Sequence, residues 1–324
     1  MGRYGVLLPH FGPHASRDTV AREAVRLEEL GFDSVWARDH VVYEPHEYEH
    51  PDTTFLDPIV VLSGVAAVTS HIGIGTGTLI PHRHPVAAAL ALSSLDALAG
   101  PGRLTVGIGL GSFGHEFDAV GMKGWDRREV VEEQVGIFRR LWTGEPVTHH
   151  GRFYSFEEVA ISPVPKARDL PIWYSGTSKA AVRRAVEYGD GWLPGSLPRA
   201  EYGDRRQRME ALAEAAGRAV PDSGLIPFVS PGRTVEEAVA AVPMEAILAM
   251  ANKRYRRPDG FATLEDLDGT LMAGPPERLS EEIRRYEELG AGTFVLDLRF
   301  RFDDWRECTE LLASELLPQV RSGD

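Results

Sequence analysis

Cysteine is almost absent from this 324-residue chain, with Cys308 standing alone. One thiol excludes an internal disulfide framework and any zinc site built on cysteines. Long apolar runs are missing as well, none approaching the roughly 18 residues that cross a bilayer. Basic residues are outnumbered, 35 Lys and Arg against 48 Asp and Glu, for a formal charge of −13. Such a surface repels nucleic acid and anionic membrane, so neither is expected as a partner. The opening Met1-Gly2-Arg3-Tyr4-Gly5-Val6 has no secretory apolar core, and position 6 is not the Ser or Thr of a myristoylation site. A soluble cytoplasmic protein acting on a small molecule is expected.

What remains is an alternation of short apolar runs with amphipathic stretches. Strands are expected at Tyr4–Leu8, Ser34–Ala37, Ile72–Ile80, Arg103–Leu110, Ile172–Ser175, Gly191–Pro194, Leu225–Val229 and Thr293–Leu298. Thr19–Leu30 has helical spacing, with Val20, Ala24, Leu27 and Leu30 on one face. Leu30-Gly31-Phe32, Tyr188-Gly189-Asp190 and Leu289-Gly290-Ala291 read as helices closed by a left-handed glycine that turns the chain into a strand. Eight such units predict an α/β fold, a (β/α)8 TIM-like barrel forming one domain over residues 1–324. Insertions are expected after the fourth strand (Gly111–Arg127) and the seventh (Ser230–Gly290). Val86–Leu98, apolar all round and led by Pro85, reads as a fully buried helix.

The motifs carry alternatives. Gly109-Leu110-Gly111-Ser112-Phe113-Gly114 fits the G-x-G-x-x-G dinucleotide fingerprint. However, no clean helix is expected at its last glycine, and Glu132 and Glu133 fall inside a helix instead of at a strand end. A glycine-rich turn that admits a ligand to the backbone is the preferred reading. His82-Arg83-His84 resembles the paired ligands of a metal-dependent hydrolase barrel, but no further residue completes a set, and no metal site is expected. His40, beside Asp39 where the second strand ends, is either a general acid–base or a solvent-exposed neighbour of a helix cap. Ser175-Gly176-Thr177-Ser178 opens a helix after the fifth strand, an anion site or an ordinary cap. Gly73-Ile74-Gly75-Thr76-Gly77-Thr78-Leu79 suits a flat ring against the backbone, or merely a crowded strand.

Taken in order, several segments resemble the luciferase-like monooxygenase superfamily from residue 4 to about residue 318. They are Tyr4-Gly5-Val6-Leu7-Leu8, Trp36…Asp39-His40, Gly75-Thr76-Gly77-Thr78 with His84-Pro85-Val86-Ala87, and Gly100-Pro101-Gly102-Arg103 leading into Val106-Gly107-Ile108-Gly109. Pro171-Ile172-Trp173-Tyr174-Ser175-Gly176, Asp190-Gly191-Trp192 and Gly274-Pro275-Pro276-Glu277 follow. The resemblance implies an oxidoreductase barrel that uses reduced FMN or the deazaflavin F420, for monooxygenation or hydride transfer. The cofactor would be bound by Gly77, Thr78, Gly109, Ser112 and Ser175, its phosphate at Gly176, Thr177 and Ser178, with the Gly77–Thr78 bond cis. His40 matches the family's active-site histidine, a proton donor with Asp39 beside it. The substrate is expected over His10, His40 and the loop Ser112–Glu116, with Glu116 contacting it and Pro243–Ala273 as a lid. The chain departs from the family at Ser112, where some deazaflavin enzymes carry Glu, and at Leu110, where bacterial luciferase carries Arg. The positive charges at Lys253–Arg257, Arg299 and Arg301 tilt the expectation slightly toward F420 and its anionic tail, a solvated face being the alternative. A homodimer is expected, with a flavin reductase partner in the FMN case; a catalytically silent flavin-binding barrel is the other alternative.

Overall fold

Eight parallel strands close into a barrel in the computed structural model, which describes residues 2–166 and 170–322. Along the chain, β1 (Arg3–Leu7) leads to α1 (Arg17–Glu29), β2 (Ser34–Ala37) to α2 (Pro58–Val68) and β3 (Gly73–Thr76) to α3 (Pro85–Ala99). Next come β4 (Leu104–Ile108), α4 (Gly114–Ala119), α5 (Arg127–Leu141) and a hairpin of β5 (Val147–His150) and β6 (Ser155–Val159). The units β7 (Ile172–Tyr174), α6 (Lys179–Tyr188), β8 (Gly191–Trp192) and α7 (Arg199–Ala215) follow. After β9 (Asp222–Leu225) the chain forms β10 (Phe228–Pro231), α8 (Val235–Ala240), α9 (Met244–Tyr255), β11 (Leu271–Gly274) and α10 (Pro276–Glu287). Finally β12 (Thr293–Leu296) pairs with β1, ahead of α11 (Trp305–Leu311) and α12 (Leu317–Arg321). The ring runs β1, β2, β3, β4, β7, β8, β9, β12, so every barrel strand ends at the same rim.

The local chemistry explains these elements. Ser16 caps α1 by accepting from the Thr19 N–H at 3.1 Å, and Asp57 caps α2 ahead of Pro58. The barrel interior is filled by two indoles, Trp36 and Trp173, packed with Leu7, Leu193 and Val295. A Cβ on Gly75 would fall 2.4 Å from the Trp36 ring, and one on Gly191 would fall 2.4 Å from Trp173. These glycines make room for the indoles. Gly75 therefore answers to a crowded strand, the plainer of the two readings of that glycine-rich run.

Several expectations need correction. The run Leu225–Val229 is not one strand: Pro227 cannot donate to a ladder, so β9 stops at Leu225 and Phe228 starts β10, which pairs outside the barrel with β11. Gly31 and Gly290 are left-handed as expected, with φ of +83° and +91°. Gly189 is not, since its φ is −96°. It is small because a Cβ there would crowd the Ala185 carbonyl at 3.0 Å. A short helix, α4, does start at Gly114. The helix expected to be buried all round, α3, exposes Leu90 and Leu98, Leu98 by 68%, and neighbouring α2 exposes Val60 and Val68. The segment Pro243–Ala273, expected as a lid, packs Ile247, Ala251, Phe261 and Leu267 into a core of their own with Phe228, Val242 and Leu271.

His10 ties β1 to β2. Its imidazole is fully buried, with Nδ1 2.8 Å from the Leu8 carbonyl and Nε2 3.1 Å from the Arg38 N–H. One tautomer satisfies both, Nδ1 donating and Nε2 accepting. Burial pushes its pKa down to about 4, against a partial lift from the Leu8 and Arg38 carbonyls, the latter also 3.1 Å from Nε2. The folded state thus resists a proton that the unfolded chain takes up near pH 6.5. Stability from this residue is complete above that pH and is lost as pH falls from 6.5 toward 4, about 3 kcal/mol in all. Urea unfolding at pH 7.5 and pH 4.5 measures most of it, and His10→Gln is expected to lose about 2.5 kcal/mol less than the parent between the two.

Candidate functional site

The carboxyl ends of five neighbouring barrel strands line an open cleft. Arg38, Asp39 and His40 follow β2, Gly77 and Thr78 follow β3, and Gly109 to Ser112 follow β4. Ser175, Gly176 and Ser178 follow β7, while Gly195 follows β8. The loop ends of a parallel barrel are where ligands bind.

One wall of the cleft is bare backbone. The Gly77–Thr78 bond is cis, and nothing lies within 3.5 Å of where a Gly77 Cβ would stand. A Cβ on Gly109 would meet Thr78 Oγ1 at 2.6 Å, so only glycine leaves this surface flat. At the next rim position Gly176 has a φ of +138°, and its Cβ would meet Ala181 at 2.9 Å. Its carbonyl accepts from Trp192 Nε1 at 2.9 Å, and Ser178 caps α6 by accepting from the Ala181 N–H at 3.1 Å. The first turn of α6 thus opens on the cleft.

Two arginines join this helix start, and the sequence reading had not singled out the first. Arg184 is 7% exposed, lines the cleft and has no carboxylate partner among the described residues, its guanidinium lying 5.9 Å from the Tyr174 ring centre. The signal was there: Arg184 shares a helical face with Ala181, Ala185 and Tyr188, where an apolar residue is the norm. Arg254 of α9 donates to Thr177 Oγ1 at 3.3 Å. Of the other expected cations, Arg257 is held by Glu201 and Asp268, Arg299 by Glu49 and Asp297 and Arg301 by Asp304, while Lys253 and Arg256 are exposed with no carboxylate partner among the described residues.

On the opposite side, His40 and Glu116 come together across 76 residues of sequence. His40 Nδ1 lies 3.2 Å from both oxygens of Glu116, and one of those oxygens also accepts from the Val41 N–H at 2.9 Å and the Val42 N–H at 3.2 Å. Glu116 is fully buried, which alone would raise its pKa, but His40 and the two amides outweigh that and hold the carboxyl below its ordinary range. A carboxylate only accepts, so Nδ1 carries the proton and Nε2 is the nitrogen left for chemistry. Arg38 Nη2 sits 3.4 Å from Nε2.

Three expected roles therefore change. Asp39 does not touch His40: its oxygens take Arg83 at 2.6 and 3.0 Å and the Ile80 N–H at 2.8 Å, pinning the turn after β3. Glu116 faces His40 and has no surface left for a substrate. His10 is sealed beneath the rim with both nitrogens engaged, so it offers a substrate nothing. His82 and His84 part company, His82 against Phe117 and His84 capping α3. Among the described residues no group of three or more His, Cys, Asp or Glu gathers to hold a metal.

Residues 3–293 match the luciferase-like monooxygenase family. The chain belongs to it. The F420-dependent glucose-6-phosphate dehydrogenase of Nakamurella multipartita is 27% identical, over 98% of this chain and 96% of its own. The luciferase-like barrel also superposes on an F420-dependent secondary alcohol dehydrogenase carrying an F420–acetone adduct (TM-score 0.81, 21% identity, 99% of each chain). The FMN-bound oxygenating constituent of 3,6-diketocamphane monooxygenase from Pseudomonas putida gives a TM-score of 0.78 at 21% identity, again over 99% of each chain. No helix among the described residues is long and apolar enough to cross a membrane.

Proposed function

We propose that this chain, as one barrel domain, is an oxidoreductase using F420 or FMN at the cleft, for hydride transfer to or monooxygenation of a small organic substrate. One observation carries the reading: a flat glycine wall, an unpaired buried arginine by a helix start, and a carboxylate-held histidine share one cleft. The residues fit such a group. Gly77, Thr78 and Gly109 offer a bed for a planar ring, with Ser112 and Ser175 at its edges. Gly176, Thr177 and Ser178 present the start of α6 to a phosphate, and Arg184 supplies the opposite charge. When bound, the cofactor supplies the electron pair.

The protein's own contribution is orientation, exclusion of water and a proton. Glu116 fixes the imidazole tautomer, so His40 holds or moves a proton at Nε2, while Asp39 keeps the β3 turn in register through Arg83. The relative named for glucose 6-phosphate tilts the cofactor toward F420. Its sugar substrate does not carry over at 27% identity.

Titration with F420 and, separately, FMN tests the reading. Tight binding of F420 alone makes this a hydride-transfer enzyme, preference for FMN makes it a monooxygenase served by a separate reductase, and binding of neither refutes it. Arg184→Gln is expected to weaken FMN or F420 at least about tenfold while leaving riboflavin, which lacks the phosphate, within a few-fold. Equilibrium fluorescence measures both.

The lone buried Cys308 accords with a reducing cytoplasm. The apolar faces of α2 and α3 support a homodimer, since Val60 and Leu98 are 70% and 68% exposed on adjacent helices. Sedimentation is expected to give twice the 35.7 kDa chain mass, and Leu98→Glu to shift it toward the monomer.

A further inference from the structure

The wall behind His40 has a second side. The imidazole packs against Tyr43, 5.2 Å between ring centres, and Arg38, which lines the cleft, holds Glu49 at 2.8 Å. Tyr43 and Glu49 belong to another pocket, lined also by Phe11, Tyr48, Phe300 and Phe302. Among the described residues none lines both the cleft and this pocket. A molecule seated here is walled off from His40, so the pocket binds without taking part in the chemistry of the cleft.

Its makeup narrows what it would hold. Five aromatic rings give it the surface that a flat apolar body gains from most. Its buried charges are spent on one another: Arg299 grips Glu49 and Asp297, and Glu49 also holds Arg38. Asp303, 3.2 Å from His14, has a fully exposed side chain and is a weak anchor. A charged ligand would lose its water here and find no free buried counter-charge.

One polar group is left over. Tyr43 is 8% exposed, and its hydroxyl is buried without a hydrogen-bond partner. Glu49 does not serve it, since its oxygens are taken by the two guanidiniums and by the His46 N–H at 2.8 Å. An unpaired buried hydroxyl costs free energy that an incoming acceptor recovers.

We propose that this pocket is a second binding site, separate from the cleft, for an uncharged aromatic molecule that carries an acceptor oxygen. Its ring lies among the five aromatics and its oxygen accepts from the Tyr43 hydroxyl. The inference does not depend on which cofactor the cleft takes.

The test titrates the full chain with acetophenone, toluene, benzoate and benzylammonium by saturation-transfer NMR. Acetophenone is expected to bind at least about tenfold more tightly than either charged probe. Tyr43→Phe, which keeps the ring and removes only an unpaired hydroxyl, is expected to weaken acetophenone about fivefold and leave toluene unchanged. Tyr48→Ala, at a half-buried position, is expected to weaken both several-fold. The variants decide the matter whether or not F420 or FMN binds, so failure of the cofactor reading registers separately. No saturable binding of acetophenone, equal binding of a charged probe, or an acetophenone affinity indifferent to Tyr43→Phe overturns the proposal. So does displacement of acetophenone by a cofactor that binds the cleft.

Discussion

Replacing His40 with glutamine is expected to lower turnover by about 100-fold or more while cofactor affinity stays within a few-fold, because glutamine matches the size of the imidazole but cannot exchange a proton. Its carboxylate partner tests the same unit from behind. Glu116→Gln leaves an acceptor for the Val41 and Val42 amides but removes the charge that orients Nδ1–H, and a loss of about tenfold is expected. The pH profile separates positioning from mere support. The Glu116 carboxylate is held below its ordinary range, so the arrangement is fully present above the usual carboxylate pKa and is lost only as pH falls through the depressed value. In Glu116→Gln that acid limb should vanish. A catalytically silent barrel would show no effect in either variant.

The second large effect is one of stability. Gly107→Ala would set a Cβ 2.1 Å from the Thr76 carbonyl oxygen and 3.1 Å from the Thr78 methyl group. Neither neighbour is a flexible side-chain end that can swing away. The Gly107 carbonyl also accepts from Thr76 Oγ1 at 2.7 Å and from the Leu79 N–H at 2.8 Å, so both sides are fixed. At least about 3 kcal/mol of destabilisation is expected, measured as a fall in the urea midpoint. Gly136→Ala in α5 is the matched control: its Cβ meets nothing within 4 Å, and a gain of about 0.5–1 kcal/mol is expected.

The barrel was legible because parallel strands buried on both faces write themselves as apolar runs. Short local signals, such as Pro85 or Gly31, mark helix ends regardless of the rest of the fold. Legibility failed where tertiary contact decides. The hairpin β5–β6 is half exposed and carries His149 and His150, giving no apolar run to find. The pairing of β10 with β11 joins segments some forty residues apart. In the site, the family resemblance pointed to His40 and to the start of α6, and the structure brings both to one cleft. The partners that define their chemistry were invisible: Glu116 reaches His40 only because α4 folds back over the rim, and Asp39, adjacent in sequence, turns instead to Arg83.

The two indoles inside the barrel have a consequence for traffic. With Trp36 and Trp173 stopping the bore, the barrel is a vessel with a single neck. A cofactor held on Gly77 and Gly109 would share that one neck with the second reactant. Entry is therefore sequential, product must leave before a spent cofactor can be exchanged, and an excess of the second reactant is expected to trap the filled vessel instead of speeding it.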